Sequence, residues 1–324
     1  MILVGIPVYN RVDLLRQALQ SLVSQTYRDF CVVVVDDGST EDIQSCCAKY
    51  ENSLKLYYRR QPSNKGAGAT RNKILDYVQQ LGCEFLVFMD SDDIMYPEAL
   101  QLLHQKITSN DEYDIVYSNI NQQVGDSIEV IKADKSLCWL HGKIYRTNFL
   151  WENSIGFPKL LTNEDLGFNL VAASYARRIG QIDNAFYYWR EARNSLTRGN
   201  IDRHWKCISS DYISAIFFAF NRSKKLAESL QNSVIHCYER YQQILIAKQD
   251  TRRADNQLRR MFANQDMFVY TITSLKDKNF EFPQYDIYKD KIAFYPQTFG
   301  QWISQYIDQS LASRLLAATA GEES

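Results

Sequence analysis

Residues Phe85-Leu86-Val87-Phe88-Met89 form an apolar run that ends abruptly in Asp90-Ser91-Asp92-Asp93, three carboxylates within four residues. A run this rich in aromatic and branched side chains reads as a buried strand, and it delivers acid to its own carboxyl end. In open, mostly parallel α/β sheets, ligands bind in the crevice beyond those ends. In an extended chain residues i and i+2 share a face, so Asp90 and Asp92 are expected to converge while Ser91 points away. Converging carboxylates repel unless a cation lies between them. Oxygen ligation by few protein groups suits Mg2+ or Mn2+ completing its shell with phosphate oxygens and water. The same residues can instead form an acidic turn capping the next helix, with Ser91 or Asp92 as N-cap and Pro97 and Glu98 opening it. The segment alone leaves both readings open.

Other apolar runs set the frame around this strand. Ile2-Leu3-Val4-Gly5-Ile6-Pro7-Val8-Tyr9-Asn10 is a short strand expected to break at Pro7, since proline is excluded from a central ladder. Leu14, Leu15, Ala18, Leu19, Leu22 and Val23 recur at three- and four-residue intervals and predict an amphipathic helix ending near Thr26. Phe30-Cys31-Val32-Val33-Val34-Val35 is apolar on both faces, as a buried parallel strand is, and it too ends in acid, at Asp36-Asp37-Gly38. A helix over 43–50, a strand over 54–58 and a helix over 68–81 complete a βαβαβαβ order. That order predicts an α/β fold, a doubly wound, mostly parallel sheet flanked by helices. Beyond Asp93 a helix is expected over 97–107 and strands over 114–118, 128–131 and 181–189, which make the sheet mixed. After Thr197-Arg198-Gly199-Asn200 the pattern turns helical, with apolar stripes over 212–220, 234–246, 258–272 and 302–316. The expected organisation is therefore a domain over 1–200 and a mainly helical region over 201–324.

The 324 residues carry 23% charged side chains that nearly cancel, to a formal net charge of -1, which disfavours wholesale nucleic-acid binding. Seven cysteines occur without a CxxC pair, and no basic-then-apolar leader precedes the first strand. The expected setting is a reducing cytoplasm. No apolar run approaches the roughly 20 residues a membrane span requires, so the expected protein is soluble or peripheral to the inner face of a membrane.

Taken together, Pro7-Val8-Tyr9-Asn10, Ser24-Gln25-Thr26-Tyr27, Val35-Asp36-Asp37-Gly38-Ser39, Asn64-Lys65-Gly66 with Ala69-Thr70-Arg71-Asn72, and Asp90-Ser91-Asp92-Asp93 resemble, in order and spacing, family 2 glycosyltransferases of GT-A fold. The resemblance covers residues 1 to about 200. It implies inverting transfer of a sugar from a nucleotide-diphosphate sugar, with Mn2+ or Mg2+ on the diphosphate. In that role Tyr9, flanked by Pro7 and Asn10, offers a stacking face to uracil, and Asp37, with Asp36 next, accepts the imide N–H. The alternative for the two aspartates is an Asx-type turn at Asp-Gly-Ser. Gly66 and Arg71 border the nucleotide. Because the third glycine of a dinucleotide loop is replaced by Arg71, the Rossmann fingerprint is absent, while the planar guanidinium of Arg71 suits phosphate. The resemblance gives Asp92 to the metal and Asp90 to the ribose or metal shell, with Ser91 between them, and leaves Asp93 unassigned.

Glu164-Asp165, within Leu161-Thr162-Asn163-Glu164-Asp165-Leu166, matches the family's Glu-Asp pair. Asp165 is then the base that takes the acceptor's proton, and Glu164 orients it or holds acceptor. A helix start capped by Thr162 or Asn163 accounts for the same residues. His141-Gly142-Lys143-Ile144-Tyr145-Arg146 resembles a segment bordering donor and acceptor, with His141 in place of the more usual tryptophan and Lys143 positioned for a phosphate. Tyr187-Tyr188-Trp189-Arg190 with Arg193-Asn194-Ser195-Leu196-Thr197 resembles the end of the catalytic domain and offers Arg190 and Arg193 to the diphosphate. His204 is the one histidine placed to join the metal after that point. The Gln-x-x-Arg-Trp motif of processive membrane synthases is absent. The acceptor expected is a saccharide, lipid-linked or protein hydroxyl, and its selection is assigned to the C-terminal half together with the 120s loop. That half carries Arg252-Arg253 and Arg259-Arg260 as a basic face and helices suited to homo-oligomer contact. A Mg-dependent nucleotidyltransferase and a catalytically silent nucleotide-sugar-binding scaffold are the rival readings. The first lacks its glycine-rich loop after strand one; the second is disfavoured by the full set of carboxylates.

Overall fold

The structure, a computed structural model, describes residues 1–109, 112–132, 139–191, 201–223 and 231–263, together with Trp302, Gln305 and Tyr306. Its contacts divide into two units, Met1–Ile201 and Asp202–Ser324.

The first unit opens with β1 (Ile2–Val8), α1 (Val12–Val23), β2 (Phe30–Asp36), α2 (Ile43–Ala48), β3 (Leu56–Arg60), α3 (Ala67–Gln80) and β4 (Phe85–Phe88). It continues with β5 (Ile94–Met95), α4 (Ala99–Ile107), β6 (Ile115–Val124), β7 (Ser127–Ile131), β8 (Lys143–Arg146), α5 (Thr147–Glu152), α6 (Glu164–Tyr175) and β9 (Ile179–Trp189). One sheet runs in the order β3-β2-β1-β4-β8-β6-β9-β5, with β7 also paired to β6. The first four strands are parallel. From β8 onward the sheet is mixed, since β8 runs antiparallel to both β4 and β6 while β9 is parallel to β6.

Why the central strands are apolar throughout follows from their two covered faces. Ile2, Val4 and Ile6 of β1, Val32 and Val34 of β2, and Phe85 and Val87 of β4 share one core with Leu15, Leu19 and Leu22 of α1 and Leu100 and Leu103 of α4. The alternate residues of β1 and β2 meet α3 on the opposite face. Gly5 marks the closest approach there: a methyl group on it would lie 2.3 Å from Cγ2 of the buried Ile74.

Three expectations need correction. β1 does not break at Pro7 but runs to Val8, with Pro7 level with Val35. The β1–β4 ladder ends at Gly5–Phe88, where Met89 N–H donates to Gly5 O. Alternation places the missing N–H of Pro7 on that same, already vacated side, so no ladder bond is lost. The acidic turn caps no helix, because β5 intervenes and α4 begins only at Ala99, with Glu98 as its N-cap. The third strand lies two residues later than expected: Leu54 is buried ahead of it and packs with the α1 and α2 core rather than in the ladder.

In the second unit α7 (Ile201–Arg222), α8 (Gln231–Ile246) and α9 (Arg252–Phe262) are described. Ile213, Ile216, Tyr238, Tyr241, Leu258 and Met261 are buried with Trp302. The expected basic face is engaged within this unit. Arg252 pairs with Asp250, Arg253 with Asp211, and Arg259 and Arg260 lie over the rings of Tyr306 and Phe217. The stripe expected over 302–316 lies outside the described residues apart from Trp302, Gln305 and Tyr306. No helix among the described residues is long and apolar enough to cross a membrane.

Gly5→Ala is expected to destabilise the first unit by about 1–3 kcal/mol through overpacking against Ile74, and Gly5→Val by more. Urea denaturation followed by far-UV circular dichroism checks this as a lowered midpoint in that order.

Candidate active site

The carboxyl ends of β1, β2 and β4 open on one side of the sheet, and each is tied to its neighbour. Tyr9 follows β1 and is 46% exposed, a free aromatic face at the mouth. Asn10 and Arg11 both take left-handed backbone angles, φ 58 and φ 64, unusual for residues with a Cβ. Asn10 earns its conformation through a local network: its N–H donates to Ser39 Oγ at 2.7 Å, and its Oδ1 accepts from Thr40 N at 2.9 Å. The start of α1 has no side-chain cap from Arg11. Glu41 Oε2 accepts from Val12 N at 2.7 Å instead.

The two aspartates ending β2 have separate tasks. Asp36 is fully buried and builds the turn, accepting from Ser39 N, Tyr58 Oη and Arg60 Nη1 at 2.8, 2.8 and 3.0 Å. Asp37 reaches the next loop: Oδ1 accepts from Lys65 N at 2.7 Å and Gln61 Nε2 at 2.9 Å, and Oδ2 from Gly66 N at 2.9 Å. A carboxylate has room for about four hydrogen bonds, so Oδ2 of Asp37 keeps acceptor capacity. Burial pushes its carboxyl upward against those two backbone bonds. Gly66 sits at φ 88 as the N-cap of α3.

Arg71, on α3, is buried and holds two acids at once. Its Nη2 donates to Asp90 Oδ1 at 2.7 Å and its Nη1 to Glu164 Oε1 at 2.5 Å, and its guanidinium lies 5.8 Å from the Phe157 ring centre. Phe157 stacks on Phe168 at 4.1 Å and meets Phe88 edge-on at 5.3 Å, which fixes the start of α6 against β4. The approach of α3 to that start requires Gly68, where a Cβ would lie 2.8 Å from Pro158 O and 3.2 Å from Glu164 Cβ. Asn163 does stand at the N-cap of α6, but in a left-handed conformation and without a side-chain capping bond. Asp165 is half-buried beside Glu164. Burial raises its carboxyl despite the opposing charges of Arg71 and His141. Burial pushes Glu164 up to about 7 against the pull of Arg71.

The acidic turn differs from an extended pair. β4 stops at Phe88, and Asp93 N donates to Asp90 O, so the chain curls and brings Asp93 back beside Asp90. Asp90 Oδ2 lies 3.2 Å and Asp93 Oδ2 3.6 Å from His141 Nε2. Asp92 turns elsewhere, accepting from Arg11 Nη1 at 2.6 Å. The convergence expected of Asp90 with Asp92 is thus replaced by Asp90 with Asp93. Tyr187 holds the curl, accepting from Asp90 N at 3.1 Å and donating to Asp93 Oδ2 at 2.7 Å. Arg190 N donates to Asp93 Oδ1 at 3.0 Å, and its Nε donates to Asp92 O. Burial would raise Asp90, but the Arg71 and His141 contacts hold it well below the usual carboxylate range. Burial, with the charges of Asp90 and Asp92, lifts Asp93 to about 7.

Asp90, Asp93 and His141 bring ligand atoms within 4.8 Å of one another, and His141 Nδ1 is buried without a hydrogen-bond partner. Two carboxylates and an imidazole are a donor set that suits Mn2+ better than Mg2+. Ser91 is buried in the turn. Lys143 is buried on β8, just past the last β4–β8 pair at Val87–Ile144. Arg193 and the side chain of His204 lie outside the described residues. Sequence reasoning missed Arg11, Asp93, His141 and Tyr187 as members of the cluster. The β9 alternation that puts Tyr187 and Trp189 on one face was readable; the curl that recruits Asp93 was not.

Glu164 yields a pH test. A carboxyl whose native pKa exceeds its unfolded one keeps a proton that the unfolded chain has released, so its contribution is full below about pH 4 and is lost as pH climbs through about 7. Without divalent cation, wild-type stability should fall between about pH 5 and 8, by at most about 1.4 kcal/mol per unit per group. Glu164→Gln should show a shallower decline, with the Asp93 share remaining; urea midpoints across that range measure it.

Residues 3–159 match the sequence model described as glycosyl transferase family 2. TarS of Staphylococcus aureus (strain MW2), a poly(ribitol-phosphate) beta-N-acetylglucosaminyltransferase, is 30% identical over 203 residues, 58% of this chain and 35% of that protein. A crystal structure of S. aureus TarS residues 1–349 with UDP is similar at a TM-score of 0.61 and 22% identity, over 85% of this chain and 82% of that one. The mannosyltransferase PcManGT from Pyrobaculum calidifontis, with GDP-Man and Mn2+, gives 0.54 and 16% over 100% of this chain and 88% of its own. These two structures speak for the fold. The chain spans between 32% and 61% of the length of its first curated relatives. With the matched segment, the sheet order and the residues gathered at its strand ends, the first unit carries a glycosyl transferase family 2 segment over residues 3–159 on a GT-A-like α/β fold.

Proposed function

We propose that the first unit moves a sugar from a nucleotide-diphosphate donor, a UDP-sugar by preference, to a hydroxyl acceptor with inversion, in surface polysaccharide or glycoconjugate synthesis. The observation that carries this is the double ion pair of Arg71. One cation joins the acidic turn, which suits a donor diphosphate, to the Glu164-Asp165 pair, which suits an acceptor. UDP is favoured by the exposed Tyr9 face and the spare acceptor capacity of Asp37, and TarS, a relative in sequence and fold, has been seen with UDP and with UDP-GlcNAc.

In this reading Asp165 takes the acceptor's proton as its oxygen bonds to the anomeric carbon and the bond to the diphosphate oxygen breaks. The raised carboxyl of Asp165 makes it a stronger base than an exposed aspartate once ionised. Glu164, held by Arg71, keeps the pair in place. A divalent cation supplies Lewis-acid charge to the departing diphosphate. Asp93 is only 1% exposed on its side chain and already accepts from Tyr187 and Arg190. Asp90 and Asp92, at 28% and 14%, are the more open carboxylates, so the cation is assigned to Asp90 and to Asp92, which exchanges its Arg11 partner for it, and Asp93 is assigned to shaping the turn. His141 is an additional ligand candidate. Arg190 completes the charge around the diphosphate, with Lys143. A cytoplasmic setting and self-association through the C-terminal helices belong to the same reading.

Asp165→Asn should lower transfer by about 10^2–10^4-fold, the usual worth of a general base, while a UDP-sugar still raises the melting temperature. Chelation should abolish turnover of donor, and Mn2+ should restore it in wild type but not in Asp92→Ala. Wild-type transfer rates in Asp165→Asn, or chelator-resistant turnover, sink the assignment.

A further inference from the structure

A chain of aromatic rings leads away from the carboxylate cluster to solvent. Tyr187 stacks on His141 at 4.9 Å and 15°, His141 meets Trp189 at 5.2 Å, and Trp189 meets Trp139 at 5.5 Å. The inner end of this series touches Asp90 and Asp93 through His141. Its outer end, Trp139, is 38% exposed, a large apolar plane offered to water two rings from the site. A lone exposed apolar side chain is ordinary, but Trp139 is continuous, ring on ring, with Trp189 and His141 at the carboxylate cluster, and aromatic area is worth most when it is covered.

The sheet sets polar groups in line with Trp189, the ring that Trp139 packs on. Trp189 pairs with Gln122 on β6, and Gln122 pairs with Glu129 on β7, so the three side chains share one face in a single cross-strand row. The row is held rigid from the turn side, where Gly125 N donates to Glu191 Oε2 at 3.0 Å and Glu191 N donates to Gln123 Oε1 at 3.2 Å. An open indole packed on a second one, whose cross-strand row continues into an amide and a carboxylate, suits a ring that is apolar on its faces and hydroxylated at its rim. On the β6–β7 hairpin the carboxylates of Asp126 and Glu129 stand against the single described cation Lys132, a balance that opposes a phosphate-bearing ligand.

We infer that Trp139 and Trp189, with Gln122 and Glu129, form a subsite for an uncharged pyranose ring of the acceptor saccharide. This rests on the glycosyltransferase reading above and deepens it. The sugar ring stacks on Trp139, the rim hydroxyls meet Gln122 and Glu129, and the acceptor chain is thereby aimed along the ring series toward Asp165.

The test uses the full chain and intrinsic tryptophan fluorescence. Titration with chitotetraose and cellotetraose, as uncharged probes, should quench the wild type saturably. In Trp139→Ala the affinity should weaken by about tenfold or more, equivalent to about 1.4 kcal/mol, and Trp139→Tyr should recover most of it. Gln122→Ala should weaken binding by a smaller factor. With a turned-over acceptor the same variants should raise its KM while leaving that of the donor in place. No quenching of wild type by either oligosaccharide, equal affinity in Trp139→Ala, or tighter binding of ribitol 5-phosphate than of the uncharged probes each overturns the subsite. A UDP-induced rise in melting temperature, measured in parallel, reports on the donor reading alone, so its loss and the loss of sugar binding are separate results.

Discussion

A single buried guanidinium is the constraint around which the first unit is arranged. Arg71 reaches Asp90 and Glu164 at once, and Asp165 adds its charge nearby. Without that cation these carboxylates would repel one another in a place where water screens them poorly, and breaking such a buried arrangement by removing one partner costs about 3–5 kcal/mol. The arginine cannot lose its proton at any ordinary pH, and its neighbours raise its pKa further against the cost of burial. Positive charge at this point is therefore permanent, and the protonation states of the surrounding acids adjust to it.

Packing makes that charge arrangement rigid. The ring faces of Phe157 and Phe168 lie parallel within 5°, Phe88 closes on their edges, and Tyr145 donates to Asn169 Oδ1 at 2.7 Å. These contacts join β4, β8 and α6 into one block. The acidic turn is anchored from another direction by β9, through Tyr187 and Arg190. The two groups of acids thus hang from different elements, the acidic turn from the sheet and the Glu164-Asp165 pair from α6, and are brought into register by Arg71.

Much of this was legible in the chain. The strands at 30–35 and 85–88 are apolar on both faces because both faces are covered, and that pattern carries the parallel half of the sheet directly. The strand-end motifs located Tyr9, Asp37 and Asp90 at the carboxyl ends of β1, β2 and β4, and the Glu164-Asp165 pair stands at a helix start, that of α6. What could not be read was geometry that depends on non-local partners. Asp92 and Asp93 differ only by which way a four-residue curl turns, and the curl is decided by Tyr187, almost a hundred residues away. The strand at Lys143–Arg146 was hidden because it is short and ends in charged residues, although β4 and β6 pair with it on either side. Asp36 and Asp37 carry the same side chain in adjacent positions, yet strand alternation sends one into its own turn and the other to the Gly66 loop.

Pro7 has a consequence for how the crevice is wetted. β1 and β4 part company after Gly5 and Phe88, and any other residue at position 7 would aim an N–H into the gap between the diverging strands. Such a group would recruit a water or compete for a ligand atom, since a buried donor without a partner costs about 1–3 kcal/mol. Proline removes the donor altogether. The floor of the crevice at this point offers a bound molecule no N–H from β1, and hydrogen bonds to its acceptor atoms are left to the groups on the walls.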